Sequence, residues 1–244
     1  MRADHELLQR LAPEHLPAAS YPCPYLSGRT ATARAFAAER LPGELYHDLM
    51  DRGFRRSGQM FYAMDCDGCR ACMPLRVPVA TFAPSRSQRR TWRRNQDLRV
   101  EFATPRFAPH KFAMFRRYLR DQHADSPSET TEEGFRQEFY GAVVDSVEAS
   151  YLLGDQLLAI SLLDVCSRSV SAVYHFYEPE HRRRRLGVFS ALAEIEYARR
   201  LGAPHYYLGY WVRGAATMHY KAEYGPHQLL RDGDWTPGAA GDDG

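Results

Sequence analysis

Lysine is almost absent from this chain of 244 residues. Lys111 and Lys221 are the only lysines among 32 basic residues, so nearly all positive charge is guanidinium, which binds phosphate and carboxylate in bidentate fashion and stays protonated. The formal net charge of +2 is close to zero. A polyanionic partner would therefore have to be recognised by the distribution of charge and not by its total.

Long apolar runs and targeting signals are missing as well. No run approaches the roughly 20 apolar residues of a membrane span, and residues 1–19 carry charges throughout. We therefore expect no signal peptide, no membrane anchor and a cytoplasmic location. In a reducing compartment the five cysteines would be ligands, nucleophiles or core residues and not disulfides.

Several catalytic signatures are also absent. The sequence contains no Ser-His-Asp order, HExxH motif, Walker loop or dinucleotide fingerprint. This absence removes the usual support for a hydrolase or a nucleotide-driven motor, and we expect no nucleotide cofactor.

The order of predicted elements indicates an α+β fold. Strands at 147–153, 156–165 and 170–177 form an antiparallel meander, followed by a basic loop, a helix at 187–201 and a strand at 205–211. Upstream, the pattern predicts helices at 44–52, 85–95, 131–144 and from Pro109, and strands at 54–64, 75–79 (edge-like, because of its prolines) and 100–102. Prolines near 105 predict a division into a cysteine-cluster and basic-helix region (1–105), a second domain (106–235) and a flexible tail (236–244).

Four cysteines indicate a metal site. Cys66, Cys69 and Cys72 form a C-x-x-C-x-x-C triple, and Cys23 in an earlier loop supplies a fourth thiolate. Four soft ligands suit either an iron–sulfur cluster or tetrahedral zinc. Redox-active or purely structural thiols are the alternative. Cys166 lies in a predicted strand and is expected to be a buried core residue.

Two arginine-rich segments indicate phosphate binding. The predicted helix that begins after Ser85 carries five arginines with the spacing of a single face, namely Arg86, Arg89, Arg90, Arg93 and Arg94. A cationic face of this kind is complemented by a polyanion, with a solvated face as the alternative. The second segment, Arg182 to Gly187, joins a strand to the start of a helix, where backbone N–H groups and arginines can cradle phosphate.

Aromatic residues gather late in the chain. They are Tyr174, His175, Phe176, Tyr177, Tyr206, Tyr207, Tyr210, Trp211, Tyr220 and Tyr224. Aromatics at alternating strand positions more often form a core than a site. Their hydroxyls and His175 would nonetheless line a polar cleft wherever neighbouring strands diverge.

Stretches over most of the chain resemble the arginyl/leucyl-tRNA–protein transferase family. They are Tyr21–Leu26, Gly53–Ser57, Cys66–Val79, Phe82–Leu98, Tyr174–Tyr177, Leu186-Gly187, Tyr207–Tyr210 and Tyr220-Lys221. The compact length and the cysteine triple followed by Pro-Leu-Arg are most similar to the family's bacterial, leucine-transferring branch. The resemblance implies transfer of an amino acid, leucine in that branch, from charged tRNA to a protein beginning with Asp or Glu, which marks that protein for degradation by the N-degron route.

The resemblance also implies a fold and a metal site. Members of this family have an acetyltransferase-like (GNAT-type) fold, a mixed sheet with flanking helices, here preceded by a cysteine-containing N-terminal region. In related transferases four cysteines hold an iron–sulfur cluster or another metal, which corresponds to Cys23, Cys66, Cys69 and Cys72.

Site roles follow as hypotheses. Aminolysis of the tRNA ester requires positioning and charge placement. We expect catalytic contributions from Tyr174, His175, Tyr177, Tyr210 and Lys221. We expect tRNA binding by Arg86, Arg89, Arg90, Arg93, Arg94, Arg184, Arg185 and Gly187, and substrate binding by Phe176, Leu208 and Lys221. Lys221 or an arginine of 182–185 would face the acidic side chain of the acceptor.

Two other interpretations remain open. A metal-stabilised RNA-binding module without catalysis would use the same helix and cysteines, but it leaves Lys221 and the late aromatics unexplained. An acyl-coenzyme A transferase is disfavoured, because Phe189 stands where a second glycine of the donor-binding loop is expected. The choice of leucine or arginine as the transferred amino acid depends on the resemblance alone.

Overall fold

The computed structural model describes residues 2–122 and 130–238. Within these ranges the helices are α1 (Arg2–Arg10), α2 (Gly43–Asp51), α3 (Arg86–Arg94), α4 (Pro109–Gln122), α5 (Glu132–Tyr140) and α6 (Leu186–Arg200). The strands are β1 (Ala18–Pro22), β2 (Thr30–Ala37), β3 (Arg55–Ser57), β4 (Met60–Met64), β5 (Cys72–Pro78), β6 (Arg99–Ala103), β7 (Ser146–Leu153), β8 (Gln156–Cys166), β9 (Ser169–Tyr177), β10 (His205–Val212), β11 (Gln228–Arg231) and β12 (Asp234–Pro237). None of the helices in the described ranges has the length and apolar character needed to cross a membrane.

The strands form two sheets. A small antiparallel sheet has the order β1-β2-β4-β3, and a large sheet has the order β12-β11-β5-β10-β9-β8-β7-β6. β5 and β6 precede residue 105, so the large sheet takes strands from both sides of the predicted domain boundary, and the division itself stays a prediction. In the predicted tail, residues 236 and 237 belong to β12, while 239–244 lie outside the described residues.

The predicted meander and the strand that follows it are confirmed. β7, β8 and β9 pair antiparallel in sequence order. β10 then runs parallel to β9, but the two pair only through His205–Tyr207 and Ser169–Ser171. Beyond these residues β10 leaves β9 and remains paired with β5 as far as Val212. The resulting wedge, which we call the splay, gives the large sheet its acetyltransferase-like form.

Helices cover both faces of the large sheet. α6 packs Leu192 and Ile195 against Tyr206 and Leu208 on one face. On the other face, α4 and α5 form an aromatic cluster with β9 that includes Phe115, Phe135, Phe139 and Phe176. Tyr207 packs with α2 on this second face. The sides of the splay are therefore distinct, one carrying α6 and the other carrying α2 and the small sheet.

Two strand predictions are wrong. β5 is not an edge strand, because it lies between β10 and β11 and its Leu75 and Val77 are fully buried. Its prolines are tolerated on the β11 side, where pairing involves only Leu75 and Arg76. Residues 54–64 form a hairpin and not one strand, since β3 and β4 pair around Gly58, whose φ of +54° suits the tight turn.

Candidate functional site

Two cationic side chains lie in the splay between β9 and β10. Arg55, from β3, donates through Nη1 to Ser171 Oγ at 2.9 Å and through Nη2 to the carbonyl of Ala172. Lys221 donates through Nζ to the carbonyl of Tyr210 at 2.8 Å. Burial, with a smaller contribution from the charge of Arg55, lowers the pKa of Lys221 to about 7. Without a counter-ion, burial therefore disfavours the ammonium form of Lys221.

His175 lies at the end of a buried hydrogen-bonded chain on the α6 side. Its Nδ1 is 2.9 Å from Ser161 Oγ, which donates to the Tyr151 hydroxyl at 3.4 Å. Tyr151 in turn donates to Glu194 at 3.5 Å, and Tyr206 also donates to that carboxylate. With the hydroxyls oriented this way, the Nδ1 of His175 carries the hydrogen and Nε2 is an acceptor.

The free nitrogen of His175 faces the start of α6. Nε2 is buried and has no hydrogen-bond partner among the described residues, and a Cβ on Gly187 would lie 4.0 Å from it. Burial lowers the pKa of His175 to about 4, so the imidazole is neutral at pH 7. Its Nε2 is available as a hydrogen-bond acceptor for a bound group.

Two of the other predicted residues of β9, Tyr174 and Phe176, lie in apolar surroundings. Tyr174 and Phe176 point into the α4–α5 aromatic cluster, with the Phe115 ring centroid 5.8 and 5.4 Å away respectively. Tyr177 packs on Tyr118 at 5.1 Å and against His175 at 5.8 Å. The structure thus brings His175 and Tyr177 together and places Tyr174 on the opposite face.

Tyr210 and Leu208 lie apart from that pair. The Tyr210 hydroxyl donates to the carbonyl of Gly53 at 2.7 Å and accepts from the N–H of Met64 at 3.3 Å. Burial raises the pKa of Tyr210, so the hydroxyl stays protonated and joins the small sheet to β10. Leu208 is buried in the core under α6. The roles predicted for Leu208 and Phe176 in substrate binding stay predictions.

The predicted basic helix is present and its arginines are exposed. Ser85 caps α3 in a capping box with Gln88, and this confirms that the predicted helix begins after Ser85. Gln88 and Thr91 are buried on one face, whereas the five arginines of the opposite face are all exposed.

The arginine loop adjoins this helix. Arg94 donates to the carbonyl of Arg183 at 2.7 Å, and Asn95 donates to the carbonyl of Arg184 at 2.9 Å. Arg185 donates to Ser87 Oγ at 2.8 Å and adopts a left-handed conformation, φ 57°, immediately before α6. α3 and residues 182–185 therefore form one continuous surface, which we call the basic surface. It adjoins the first turn of α6, where His175 faces Gly187.

One predicted phosphate-binding arginine already has a partner. Arg184 makes a two-pronged ion pair with Asp97, at 2.9 and 2.8 Å. This pair, with the Asn95 contact, fixes the loop against the end of α3. The exposed guanidiniums of Arg183 and Arg185 remain on the basic surface.

The four predicted ligand cysteines share one cavity. All four line a space of about 90 Å³ together with Tyr25, Tyr62 and Tyr210. The N–H of Thr32 donates to Cys66 Sγ at 3.3 Å, and the N–H of Leu26 donates to Cys23 Sγ at 3.4 Å. Burial and the neighbouring thiols raise the pKa of Cys72 to about 12, so a bound cation would be needed to ionise this thiol at neutral pH.

The spacing of these thiols is not that of a preformed metal site. Over residues 2–122 and 130–238, no group of three or more His, Cys, Asp or Glu side chains is close enough to hold a metal ion. The four thiols are therefore suitable ligands for a soft metal by chemical type, but the distances between their sulfur atoms would have to shorten for all of them to bind one.

Sequence reasoning missed two residues of this region. Arg55 lies in an Arg55-Arg56 pair that resembles ordinary surface charge, and only the pairing of β3 places it in the splay. Glu194 lies inside α6, where acidic residues are usually exposed, yet its side chain is buried. A polar residue on the apolar face of a helix was the available signal for Glu194.

Comparison with known proteins identifies the family. Residues 21–90 match the family described as Arginine-tRNA-protein transferase, N terminus, and residues 110–231 match its C terminus. The aspartate/glutamate leucyltransferase of Chromobacterium violaceum is 40% identical, over 89% of this chain and 90% of that protein. Its counterpart from Thiobacillus denitrificans is 39% identical, over 89% and 91%. The chain belongs to the arginine-tRNA-protein transferase family, whose members are aminoacyltransferases.

One solved structure adds information on the fold. The crystal structure of FemX aligns with a TM-score of 0.50 at 11% identity, covering 87% of this chain and 85% of that one. At this identity the likeness concerns the fold alone.

Proposed function

We propose that this protein transfers leucine from leucyl-tRNA to the α-amine of a protein that begins with Asp or Glu. The leucyltransferase relatives support the donor and the acceptor. The observation that carries the proposal is the meeting of α3 and residues 182–185 in one basic surface beside His175. Such a surface suits the phosphates of an acceptor stem, and its position would bring the charged end of a tRNA to the splay.

The chemistry requires no covalent enzyme intermediate. The amine nitrogen of the acceptor attacks the ester carbonyl, a C–N bond forms and the C–O bond to the ribose breaks. The neutral amine loses one proton and the departing ribose oxygen takes up one proton, so the reaction neither consumes nor releases a net proton. The enzyme's contribution is to hold the two reactants in line and to stabilise the charge that develops.

His175 is suited to orient one of the reacting groups. Its Nδ1 is fixed by Ser161, and its neutral Nε2 can accept a hydrogen bond from the ribose hydroxyl or the incoming amine. The chain through Tyr151 to Glu194 fixes the tautomer and the ring orientation. We assign His175 this positioning role at the α6 side of the splay.

The cysteine cavity is proposed to hold an iron–sulfur cluster or zinc. Cys23 follows β1, Cys66 and Cys69 follow β4, and Cys72 begins β5. A group bound to all four would crosslink the small sheet to the large sheet, a structural contribution. Because charged tRNA and newly exposed protein N-termini are cytoplasmic, we place the enzyme in the cytoplasm.

Separate transfer reactions test the proposal. Anaerobically purified protein is given labelled leucyl-tRNA or arginyl-tRNA and matched peptides that begin with Asp, Glu, Asn or Ala. We expect label on the Asp and Glu peptides from leucyl-tRNA only. Arginine on those peptides would show a transferase of the same family that uses arginyl-tRNA as donor. Binding of tRNA without any transfer would favour a non-catalytic RNA-binding protein.

A further inference from the structure

The buried cations of this protein divide into two kinds. Among the described residues, the buried lysines and arginines are Arg55, Arg56, Lys111 and Lys221. Arg56 has a two-pronged ion pair with Asp164, at 2.8 and 2.7 Å, and Lys111 pairs with Glu148. Arg55 and Lys221 have no carboxylate within ion-pair distance in the described part of the chain.

Burial without a counter-ion is costly. A charge removed from water is ordinarily paired with an opposite charge, and removing one partner of a buried pair is strongly destabilising. Arg56 and Lys111 follow this rule in the same protein. The exceptions, Arg55 and Lys221, therefore indicate that an anion completes the site when substrate is bound. The lowered pKa of Lys221 is consistent with a counter-ion that is missing in the free protein.

The unused donors of both side chains converge at one point. Nη1 and Nη2 of Arg55 each donate one hydrogen bond, to Ser171 and Ala172, which leaves Nε–H and one N–H on each Nη unused. Lys221 uses one of its three donors on the carbonyl of Tyr210. A Cβ placed on Gly209 would lie 3.4 Å from Lys221 Nζ and 3.6 Å from both Nε and Nη2 of Arg55.

Gly209 keeps this point open. Its φ of +87° is a conformation that other residues rarely adopt, and it has no side chain to occupy the space between the two cations. A carboxylate has two oxygens, one for each of the two side chains, and is therefore the group that this arrangement fits.

We propose that Arg55 and Lys221, over Gly209, form the receptor for the side-chain carboxylate of the acceptor's first residue. This inference rests on the proposed function. Arg55 arrives from the small sheet, on the side of the splay opposite α6. The acceptor would therefore enter from the small-sheet side while the tRNA approaches from the basic surface, and amine and ester would meet within the splay.

Binding to the tRNA-free protein tests the receptor without requiring catalysis. Calorimetric titration compares the dipeptide Asp-Ala with Asn-Ala, which differ only in the charged group. Asp-Ala can accept charge-assisted hydrogen bonds that Asn-Ala cannot. We therefore expect wild-type protein to bind Asp-Ala with about 10- to 100-fold higher affinity than Asn-Ala. We expect Arg55→Met and Lys221→Met each to reduce that preference to about 3-fold or less, and Arg55→Lys to retain part of it.

Controls separate the receptor from a structural role of Arg55. Arg168→Met removes an exposed guanidinium from the β8–β9 turn and should leave the preference unchanged. Folded Met variants that keep the full Asp preference would overturn the proposal. If a Met variant fails to fold, the Arg55→Lys variant decides the question. A carboxylate receptor predicts that this variant has a reduced preference for Asp-Ala, whereas a purely structural role of Arg55 predicts an unchanged preference.

The receptor and the proposed function can fail separately. Arg55-dependent Asp binding in a protein that transfers no leucine would support the receptor and contradict the function. If the protein transfers leucine to Asp peptides but its preference for Asp does not depend on Arg55 and Lys221, the function is supported and the receptor is contradicted.

Discussion

Removing three arginines from α3 gives a quantitative prediction for the basic surface. The side chains of Arg86, Arg90 and Arg93 are exposed and make no hydrogen bond or ion pair within the described residues. We therefore expect Arg86→Ala/Arg90→Ala/Arg93→Ala to fold with a free energy of unfolding within about 0.5 kcal/mol of wild type. Any change in tRNA affinity can then be assigned to the interface.

The magnitude follows from counterion release. Each lost phosphate contact lowers the slope of log K against log salt by about 0.7 to 0.9, so three contacts account for about 2 to 3. At 0.15 M salt this corresponds to a loss of roughly 100-fold in affinity. Fluorescence anisotropy with labelled tRNA over roughly 0.05 to 0.4 M KCl measures both quantities.

A variant with the same change in net charge provides the control. Arg10→Ala/Arg40→Ala/Arg168→Ala removes three arginines from α1, the segment before α2 and the β8–β9 turn. We expect its salt slope to stay within about 0.5 of wild type. Equal slopes for wild type and the α3 variant, or equal losses in both triple variants, would refute the assignment of α3 to tRNA.

Three further predictions concern the site and its supports. His175→Ala should lower leucine transfer by about 100-fold or more while leaving the salt slope of tRNA binding unchanged; unaltered turnover would remove His175 from the mechanism. Cys72→Ser should lower the metal content measured by elemental analysis and reduce the midpoint of thermal unfolding; wild-type protein that binds neither iron nor zinc would contradict the metal site. Burial alone would raise the pKa of Asp51, but hydrogen bonds from His47 and Tyr207 and the charge of Arg76 lower it to about 2. The stability that Asp51 provides is therefore complete above about pH 4 and is lost as the pH falls through about 2. Because the Asp51 side chain is one-third exposed, we expect Asp51→Asn to lower the free energy of unfolding by about 1 to 2 kcal/mol at pH 7. When that free energy is measured by urea unfolding, its decline below about pH 4 should be shallower in the variant than in wild type. An unchanged decline would contradict this.

Local sequence patterns predicted the elements whose signals are local. Ser85 and Gln88 specify the start of α3 because a capping box is complete within four residues. The meander of β7 to β9 follows from alternation and tight turns. β1, β11 and β12 are strands of four or five residues, and β2 has Phe36 as its only large apolar residue. Their apolar periodicity is therefore weak, and they were missed.

Long-range contacts account for what sequence reasoning could not place. β5 looked like an edge strand because of Pro74 and Pro78, and its central position depends on pairing with residues 127 to 140 positions later. Arg55 reaches the splay through β3, a three-residue strand, and nothing near it in sequence distinguishes it from Arg56. The two differ in their partners, which are Asp164 and the nearby carbonyl of Gly58 for Arg56, and Ser171 with Ala172 for Arg55.

A competition reaction tests the central claim most directly. Wild-type protein receives leucyl-tRNA and arginyl-tRNA at equal concentration, together with equal amounts of two peptides that differ only in an N-terminal Asp or Asn. Mass spectrometry then measures all four products in one mixture, so the ratios report relative kcat/KM. We predict that leucyl-Asp peptide dominates by at least about 10-fold over each other product. Arginylated product in excess, or equal modification of the Asp and Asn peptides, would contradict the account.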